Sequence, residues 1–300
     1  MKLAVIGLGS MGYGIAKSAL RGGHSVWGVD INPDAVARFQ GDGGQPGGID
    51  AHADQLDAVI VVVLNAAQTE TVLFGPDGIV PRLRPGAAVL SSATVPPDFA
   101  RQMAARCEDH GVHYLDAPIS GGSIKAAEGR LSVMASGTPE AFAALRGALD
   151  SIAETVFALG DTPGTGSAMK AVNQMLAGIH IAAMAEAMTF GMTQGIAPET
   201  FVDVISKCAG TSWMLENRAP HVVAGDYAPH SSVNIWPKDL GIVLDIAHGA
   251  KFGAPVTAAA LQQFLVAAGM GLGAEDDAAV AKVYARNVGL TLPGDAERNP

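Results

Sequence analysis

The residues best suited to chemistry begin at the amino terminus. Gly7-Leu8-Gly9-Ser10-Met11-Gly12 follows the short apolar run Leu3 to Ile6 and opens a helical segment over 11–21. In a strand–turn–helix setting, the first glycine of such a string permits the tight turn and the second lets a pyrophosphate approach the backbone. The third allows close helix–strand packing, and the helix N-terminal amides meet the phosphate charge. The next β-branched run ends at Asp30, eighteen residues after Gly12. A carboxylate there accepts hydrogen bonds from both ribose hydroxyls of NAD and repels the 2′-phosphate of NADP. Two other readings stay open: Asp30-Ile31-Asn32-Pro33 as a plain capped turn, and a SAM-dependent methyltransferase, which spaces its glycines and acidic residue similarly.

A second candidate lies in GTGSAMKAVNQMLAGIHIAAMAEAM, residues 164–188, where Lys170 sits near the start of a long apolar helix. Asn173 is three residues on, hence on the same helical face, with Gln174 beside it. Thr165 or Ser167 can cap this helix. A lysine here is either an ordinary snorkelling residue or a proton carrier. Hydride transfer from an alcohol to NAD requires a group that takes the hydroxyl proton. Burial and a neighbouring nicotinamide cation would lower the lysine pKa toward the working range. Asn173 would then hold either the substrate hydroxyl or the lysine itself.

Between these candidates lies DAPISGGSIKAAEGRL, residues 116–131. Gly121 and Gly122 leave backbone N–H groups uncovered, and with the Ser120 hydroxyl they can hold a carboxylate. The alternative is a tight loop. A serine nucleophile is not expected, because the stretch lacks the G-x-S-x-G elbow and no His–Asp partner is evident. Other strand-end positions are Leu64-Asn65 and Ser91 to Thr94, Thr94 being either a ligand contact or a helix cap ahead of Pro96-Pro97. In NIWPKDLGIVLDIA, Pro237 suits a first helical position and Asp239 the positive helix end. Lys238 opposes the helix dipole, so it either meets a polar or anionic ligand or is solvated beside Asp239. His110, His113 and His180 have no metal-ligand spacing, and no metal is expected.

The elements that must position these residues follow from periodicity. Strand-like runs occupy 3–7, 25–30, 57–64, 87–92, 112–116 and 131–136, with Ala-rich amphipathic segments between most of them. That alternation implies an α/β fold, a doubly wound, mainly parallel sheet with helices on both faces. After GDTPGTGS (160–167) the strands stop. The expected organisation is a Rossmann-type NAD-binding domain over 1–162 and an all-helical substrate and oligomerisation domain over 163–300, entered through a long interdomain helix. Its tail, 293–300, is expected to fray.

Composition limits the partners. With 49% apolar and 16% charged residues the chain is globular, and a net charge of −10 argues against nucleic acid. Cys107 and Cys208 form no metal or redox pattern, so a reducing cytoplasm is expected. The apolar run near Met1 is too short for a leader peptide, and Lys170, Asn173, Gln174, His180 and Glu186 make the long helix a poor membrane span.

Taken in order, IGLGSMG, DAPISGG, GTGSAMKAVNQ and KDLG make the chain resemble the β-hydroxyacid dehydrogenases, typified by 3-hydroxyisobutyrate dehydrogenase. The resemblance spans nearly the whole chain. It implies NAD(P)-dependent oxidation of a hydroxy acid, with Lys170 as general acid/base. It also implies substrate contacts at Ser120, Gly121, Gly122 and Asn173, and cofactor contacts at Thr94 and Lys238. Segments 123–137, 212–227 and 238–247 look most like the L-threonate dehydrogenases, NAD enzymes that oxidise a four-carbon sugar acid at its 2-hydroxyl. Asn65 stands where many relatives have Pro, Ile119 replaces the commoner Val, and Trp236 is a bulky candidate near the pocket. The competing readings are 3-hydroxyisobutyrate dehydrogenase, tartronate semialdehyde reductase and a non-catalytic dinucleotide sensor. The Ala- and Met-rich helix would suit a homo-oligomer, dimer or tetramer.

Overall fold

The structure, a computed structural model, describes residues 1–295; the last five residues of the expected frayed tail lie outside these. Five parallel strands form the main sheet: β1 (Lys2–Ile6), β2 (Ser25–Val29), β3 (Ala58–Val61), β4 (Ala88–Ser91) and β5 (His113–Asp116). Their order is β2-β1-β3-β4-β5, so the winding reverses between β1 and β3. A crevice forms beyond the carboxyl ends of strands at such a switch point. Side chains of both parities along the strands are buried. Leu3 and Val5 join one cluster with Ile15, Phe39 and Leu145, while Ala4 and Ile6 join the opposite one with Trp27, Leu73 and Met103. All four residues of β3 are buried. β3 stops at Val61, earlier than the apolar run to Leu64 suggests, and Leu64 is 63% exposed.

Helices α1 (Ser10–Arg21), α2 (Pro33–Gly41), α3 (Ala66–Phe74) and α4 (Pro97–Asp109) cross between these strands. After β5 the chain builds a second, three-stranded sheet from β6 (Ile119–Ser120), β7 (Leu131–Ala135) and β8 (Ala153–Ala158). β6 is antiparallel to β7 and β8 parallel to it. Helices α5 (Gly122–Glu128) and α6 (Pro139–Ile152) connect them. Neither β6 nor β8 stands out in the sequence. β6 is two residues inside a glycine loop, and β8 is an edge strand whose residues are mostly exposed.

The next helix, α7 (Thr165–Thr193), runs for 29 residues. Two compact units divide within it, Met1–Lys170 and Ala171–Pro300. The first turn of α7 belongs to the N-terminal unit because its amides bond to Asp116 and Ser136 there.

The second unit consists of the rest of α7 with α8 (Pro198–Ile205), α9 (Trp213–Ala224), α10 (Ile235–Gly249), α11 (Pro255–Ala267) and α12 (Ala281–Asn287). Ile181, Met184, Met188, Leu240 and Phe264 lie at its core. Trp236 belongs to that core too. It is 3% exposed, stacks on Phe264 at 5.4 Å, and donates from Nε1 to Asp277 Oδ2 at 3.0 Å. Its size serves packing. Pro237 is the third residue of α10, since the helix starts two residues ahead of it at Ile235.

Candidate active site

The glycine loop has the geometry its spacing predicts. Gly7 has φ +98°, where a side chain would be strained, and a Cβ there or at Gly12 would collide with backbone, Val62 O and Gly7 O respectively. At Gly9 nothing lies within 4 Å of where a Cβ would stand. Gly9 is also the N-cap of α1, with no side-chain cap and no acidic residue in the first turn. The positive helix end is therefore uncompensated and open, which fits a pyrophosphate. Ser10 and Met11 begin the helix at the same opening.

Asp30 follows the end of β2 and is half-buried. Oδ2 accepts from Leu8 N at 2.6 Å and Oδ1 from Asn32 N at 2.8 Å. The carboxylate is thus oriented by the glycine loop itself, each oxygen retaining acceptor capacity for a ribose. Beside it opens a cavity of about 460 Å³, lined by Gly28, Val36, Ile49 and Ile79 and rimmed by the Arg82–Asp50 ion pair. Its apolar walls beyond Asp30 suit the flat, apolar end of a dinucleotide.

At the far side of the sheet, β5 ends in Asp116, which is 1% exposed. Asp116 Oδ2 accepts from Gly164 N at 2.9 Å and Ser167 N at 2.8 Å, and Oδ1 from the Ser167 hydroxyl at 2.6 Å. Burial pushes the Asp116 carboxyl above the ordinary carboxylate range, against the pull of these donors. The cap of α7 therefore comes from a strand end, not from Thr165 or Ser167. One turn along α7, Lys170 is 8% exposed and donates from Nζ to the Ile119 carbonyl at 2.8 Å. Ile119 precedes Ser120, so the lysine and the glycine loop share an anchor. Gly121 and Gly122 have φ +136° and +76°, and a Cβ at Gly122 would meet nothing within 4 Å. Ser120 is half-buried and Gly122 exposed.

Two positions read as strand-end contacts have local work. Asn65 caps α3, its side chain accepting from Gln68 N at 2.9 Å, while Gln68 Oε1 accepts from Leu64 N at 2.9 Å. Thr94 is half-buried and does not cap α4, whose N-cap is Pro96 without a side-chain bond. Lys125 lies on α5, 3.8 Å from Glu154 in an exposed ion pair.

In the second unit, Asn173 Nδ2 donates to Gln174 Oε1 at 3.0 Å and Gln174 Nε2 to Asp239 Oδ2 at 2.5 Å. Lys238 Nζ stands 2.5 Å from Asp239 Oδ1, which has no well-aligned hydrogen bond, so this is a charge contact. One polar chain, Asn173–Gln174–Asp239–Lys238, therefore joins two of the candidate residues. Asp239 is the part of it that the sequence signals least, since a helix-start aspartate reads as a dipole partner. Asp116 is legible as a strand-end residue, but its bonds to the start of α7 are not, since those partners lie 48 and 51 residues further on.

The chain is similar to known proteins over nearly its whole length. The family model for the NAD binding domain of 6-phosphogluconate dehydrogenase matches residues 2–160. A second, described as NAD-binding of NADP-dependent 3-hydroxyisobutyrate dehydrogenase, matches residues 164–284. An L-threonate dehydrogenase of Cupriavidus necator is 47% identical over 98% of this chain and 99% of its own. An Escherichia coli L-threonate dehydrogenase is 45% identical over 97% of this chain and 96% of its own. A crystal structure of 3-hydroxyisobutyrate dehydrogenase from Salmonella typhimurium superimposes with a TM-score of 0.89 at 45% identity, covering 94% of this chain and 99% of that one. A glycine turn at a helix start, an oriented acidic residue and a buried lysine beside a second glycine loop thus occur in a chain of matching length: it belongs to the β-hydroxyacid (3-hydroxyisobutyrate) dehydrogenase family and is a hydroxyacid dehydrogenase that uses a nicotinamide dinucleotide.

Proposed function

We propose that the chain oxidises L-threonate at its 2-hydroxyl to the 2-oxo acid, with NAD⁺ as hydride acceptor. The observation that carries the chemistry is Lys170, buried and bonded to the Ile119 carbonyl next to Ser120. The Ser120 hydroxyl and the amides of Gly121 and Gly122 hold the substrate carboxylate. The neutral amine form of Lys170 is the one that can take the hydroxyl proton as the C2 hydrogen leaves as hydride, so charge and atoms balance. Asn173, one turn further on the helix, holds the hydroxyl oxygen. When bound, the nicotinamide ring supplies the hydride acceptor. The Gly7–Gly12 turn holds the pyrophosphate, and Leu64, Asn65, Thr94 and Lys238 complete the cofactor contacts.

NAD is favoured over NADP by the cations near Asp30 as well as by its charge. Arg38 lies over the Tyr13 ring at 3.9 Å, and Lys17 pairs with Asp42 at 2.9 Å. Both have these partners, and a 2′-phosphate at the end of β2 would meet the Asp30 carboxylate. The substrate assignment leans on the L-threonate dehydrogenase relatives, and the Salmonella structure's name supports 3-hydroxyisobutyrate as the competing substrate.

One assay tests both parts: NADH formation from L-threonate, 3-hydroxyisobutyrate and other C3 to C6 hydroxy acids, with wild type and Lys170→Ala. L-threonate giving the highest kcat/KM, and a folded, NAD-binding Lys170→Ala that loses at least about 10²-fold in kcat, are expected. Best turnover of 3-hydroxyisobutyrate would reassign the substrate; near-normal Lys170→Ala would remove the proton carrier. We further assign residues 1–162 to NAD binding and 163–300 to substrate binding and assembly, in a cytoplasmic homo-oligomer. Met169, Val172, Leu176 and Phe190 on α7 are 43%, 52%, 50% and 65% exposed, an apolar stripe that a second copy would cover. A monomeric sedimentation profile at micromolar concentration would contradict that assembly.

A further inference from the structure

Helix α1 carries the pyrophosphate turn at its start, and α5 begins at the last glycine of the substrate loop. The two helices meet at Gly14. A Cβ on Gly14 would stand 2.7 Å from Ala127 N, 2.9 Å from the Ala126 carbonyl carbon and 3.1 Å from Ala126 Cβ, so the atoms in the way are mainly α5 backbone. Four and seven residues further along the same face come Ser18 and Arg21. Ser18, 2% exposed, donates its hydroxyl to Ala126 O at 2.8 Å and Ala127 O at 3.3 Å. Arg21 donates to Ala127 O and, at 2.7 Å, to Ser18 Oγ. These carbonyls belong to the last turn of α5, where Ala126 O also accepts from Gly129 N at 3.3 Å.

The asymmetry of the pair matters. α5 has seven residues and one buried side chain, Ala126, whereas α1 has twelve residues and six buried positions. Burial holds α1 to the sheet, but α5 has little burial of its own, so its position is set by what α1 offers it. Gly14 also lines a cavity of about 450 Å³ with Gly9 and Ser10 from the cofactor turn and Ser123 and Ala127 from α5. We propose that Gly14, with Ser18 and Arg21 latching the end of α5, sets the distance between the pyrophosphate turn and the Ser120-Gly121-Gly122 loop. Gly14 is thus a positioning residue for the hydroxy acid. The inference rests on the placement of the acid's carboxylate in that loop.

The direct consequence is a split between the two ligands. In Gly14→Ala the weakly buried α5 gives way, carrying the substrate loop outward while Gly7 to Gly12 stay in place. Displacing a reacting group by about 1 Å costs up to about 10²-fold in rate. The test is KM and kcat for L-threonate alongside NADH affinity by fluorescence titration and Tm, in Gly14→Ala, Ser18→Ala and Ser120→Ala enzymes. We expect Gly14→Ala to raise KM for L-threonate at least about fivefold and lower kcat, with NADH affinity within about twofold of wild type. Ser18→Ala, which introduces no new atom, should shift the same way by less. A purely structural contact would lower Tm and leave KM alone. Unchanged L-threonate kinetics in folded Gly14→Ala, or in Ser18→Ala if Gly14→Ala does not fold, overturns the inference while Ser120→Ala is impaired. Equal losses for L-threonate and NADH also overturn it. Unchanged Ser120→Ala kinetics removes the carboxylate placement, and the inference falls with it.

Discussion

The Ser167 hydroxyl donates to the Asp116 carboxylate at 2.6 Å across 51 residues of sequence, inside a buried site. That bond, with the amides of Gly164 and Ser167 on the other carboxylate oxygen, fixes the start of α7 on the end of β5. Lys170 follows Ser167 by three residues and Ile119 follows Asp116 by three, and those two are themselves bonded. The lysine is therefore held at both ends of a short closed circuit of backbone and side chains.

Ser167→Ala opens that circuit while leaving the fold's framework. It strips one donor from a buried carboxylate, a change that destabilises by about 1–3 kcal/mol. The expected outcome is a lower Tm, a lower kcat for the hydroxy acid, and NADH affinity like that of wild type, because the glycine turn lies elsewhere. Asp116→Ala should be worse, since it orphans two buried amides and a hydroxyl together. A Ser167→Ala enzyme with full kcat would show that Lys170 needs no support from the helix start.

The elements legible in sequence are those governed by local pattern. Four main-sheet strands fall within the apolar runs and β1 starts and ends one residue ahead of its run, while the glycine turn has the φ values and close contacts its spacing implies. What stayed hidden depends on distant partners. β8 reads as unremarkable because an exposed edge strand shows no apolar alternation. Gln174 and Asp239 are 65 residues apart, and nothing local in either segment pairs them. Trp236, read as a pocket residue, packs in the core because Phe264 and Asp277 await it there, far along the chain.

Asp30 has two duties, and its replacement separates them. Its carboxylate orients the Leu8 amide of the glycine turn at 2.6 Å, besides facing the ribose site. Asp30→Ala should therefore lower kcat/KM for NAD⁺ by about tenfold or more, while the penalty against NADP⁺ relaxes because the repelling charge is gone. The ratio of kcat/KM for the two cofactors is the measurement. An unchanged ratio would mean that specificity resides away from β2.

The two thiols should differ sharply. Burial pushes the Cys107 thiol up to about 12, while Cys208 is exposed. Only the thiolate reacts, and at pH 8 a thiol of that pKa is ionised to about one part in 10⁴. A disulfide exchange reagent should accordingly titrate one thiol rapidly in the native protein and the second only after denaturation. Two fast equivalents would place Cys107 in a region that opens readily.

Acid should loosen the second unit through Asp276. Burial alone would raise its carboxyl, but bonds from Ala278 N at 3.1 Å, His221 Nδ1 at 3.0 Å and His230 N at 2.9 Å, with the Arg218 charge, outweigh burial and hold it below the ordinary value of 3.8. A carboxyl so lowered binds fewer protons folded than unfolded. Its stabilisation is present above pH 3.8 and is lost as pH falls through the lower native value. The adjacent Asp277 has the opposite sign, since burial raises it despite the Arg218 contact at 2.5 Å. Its effect develops above 3.8, where protonation still favours the fold, so the two residues act on different sides of that pH. Tm measured by circular dichroism should thus drop steeply below about pH 4 in wild type, and Asp276→Asn should be less stable at neutral pH but flatter on that acid limb. An equally steep limb in Asp276→Asn would assign acid sensitivity to other carboxylates.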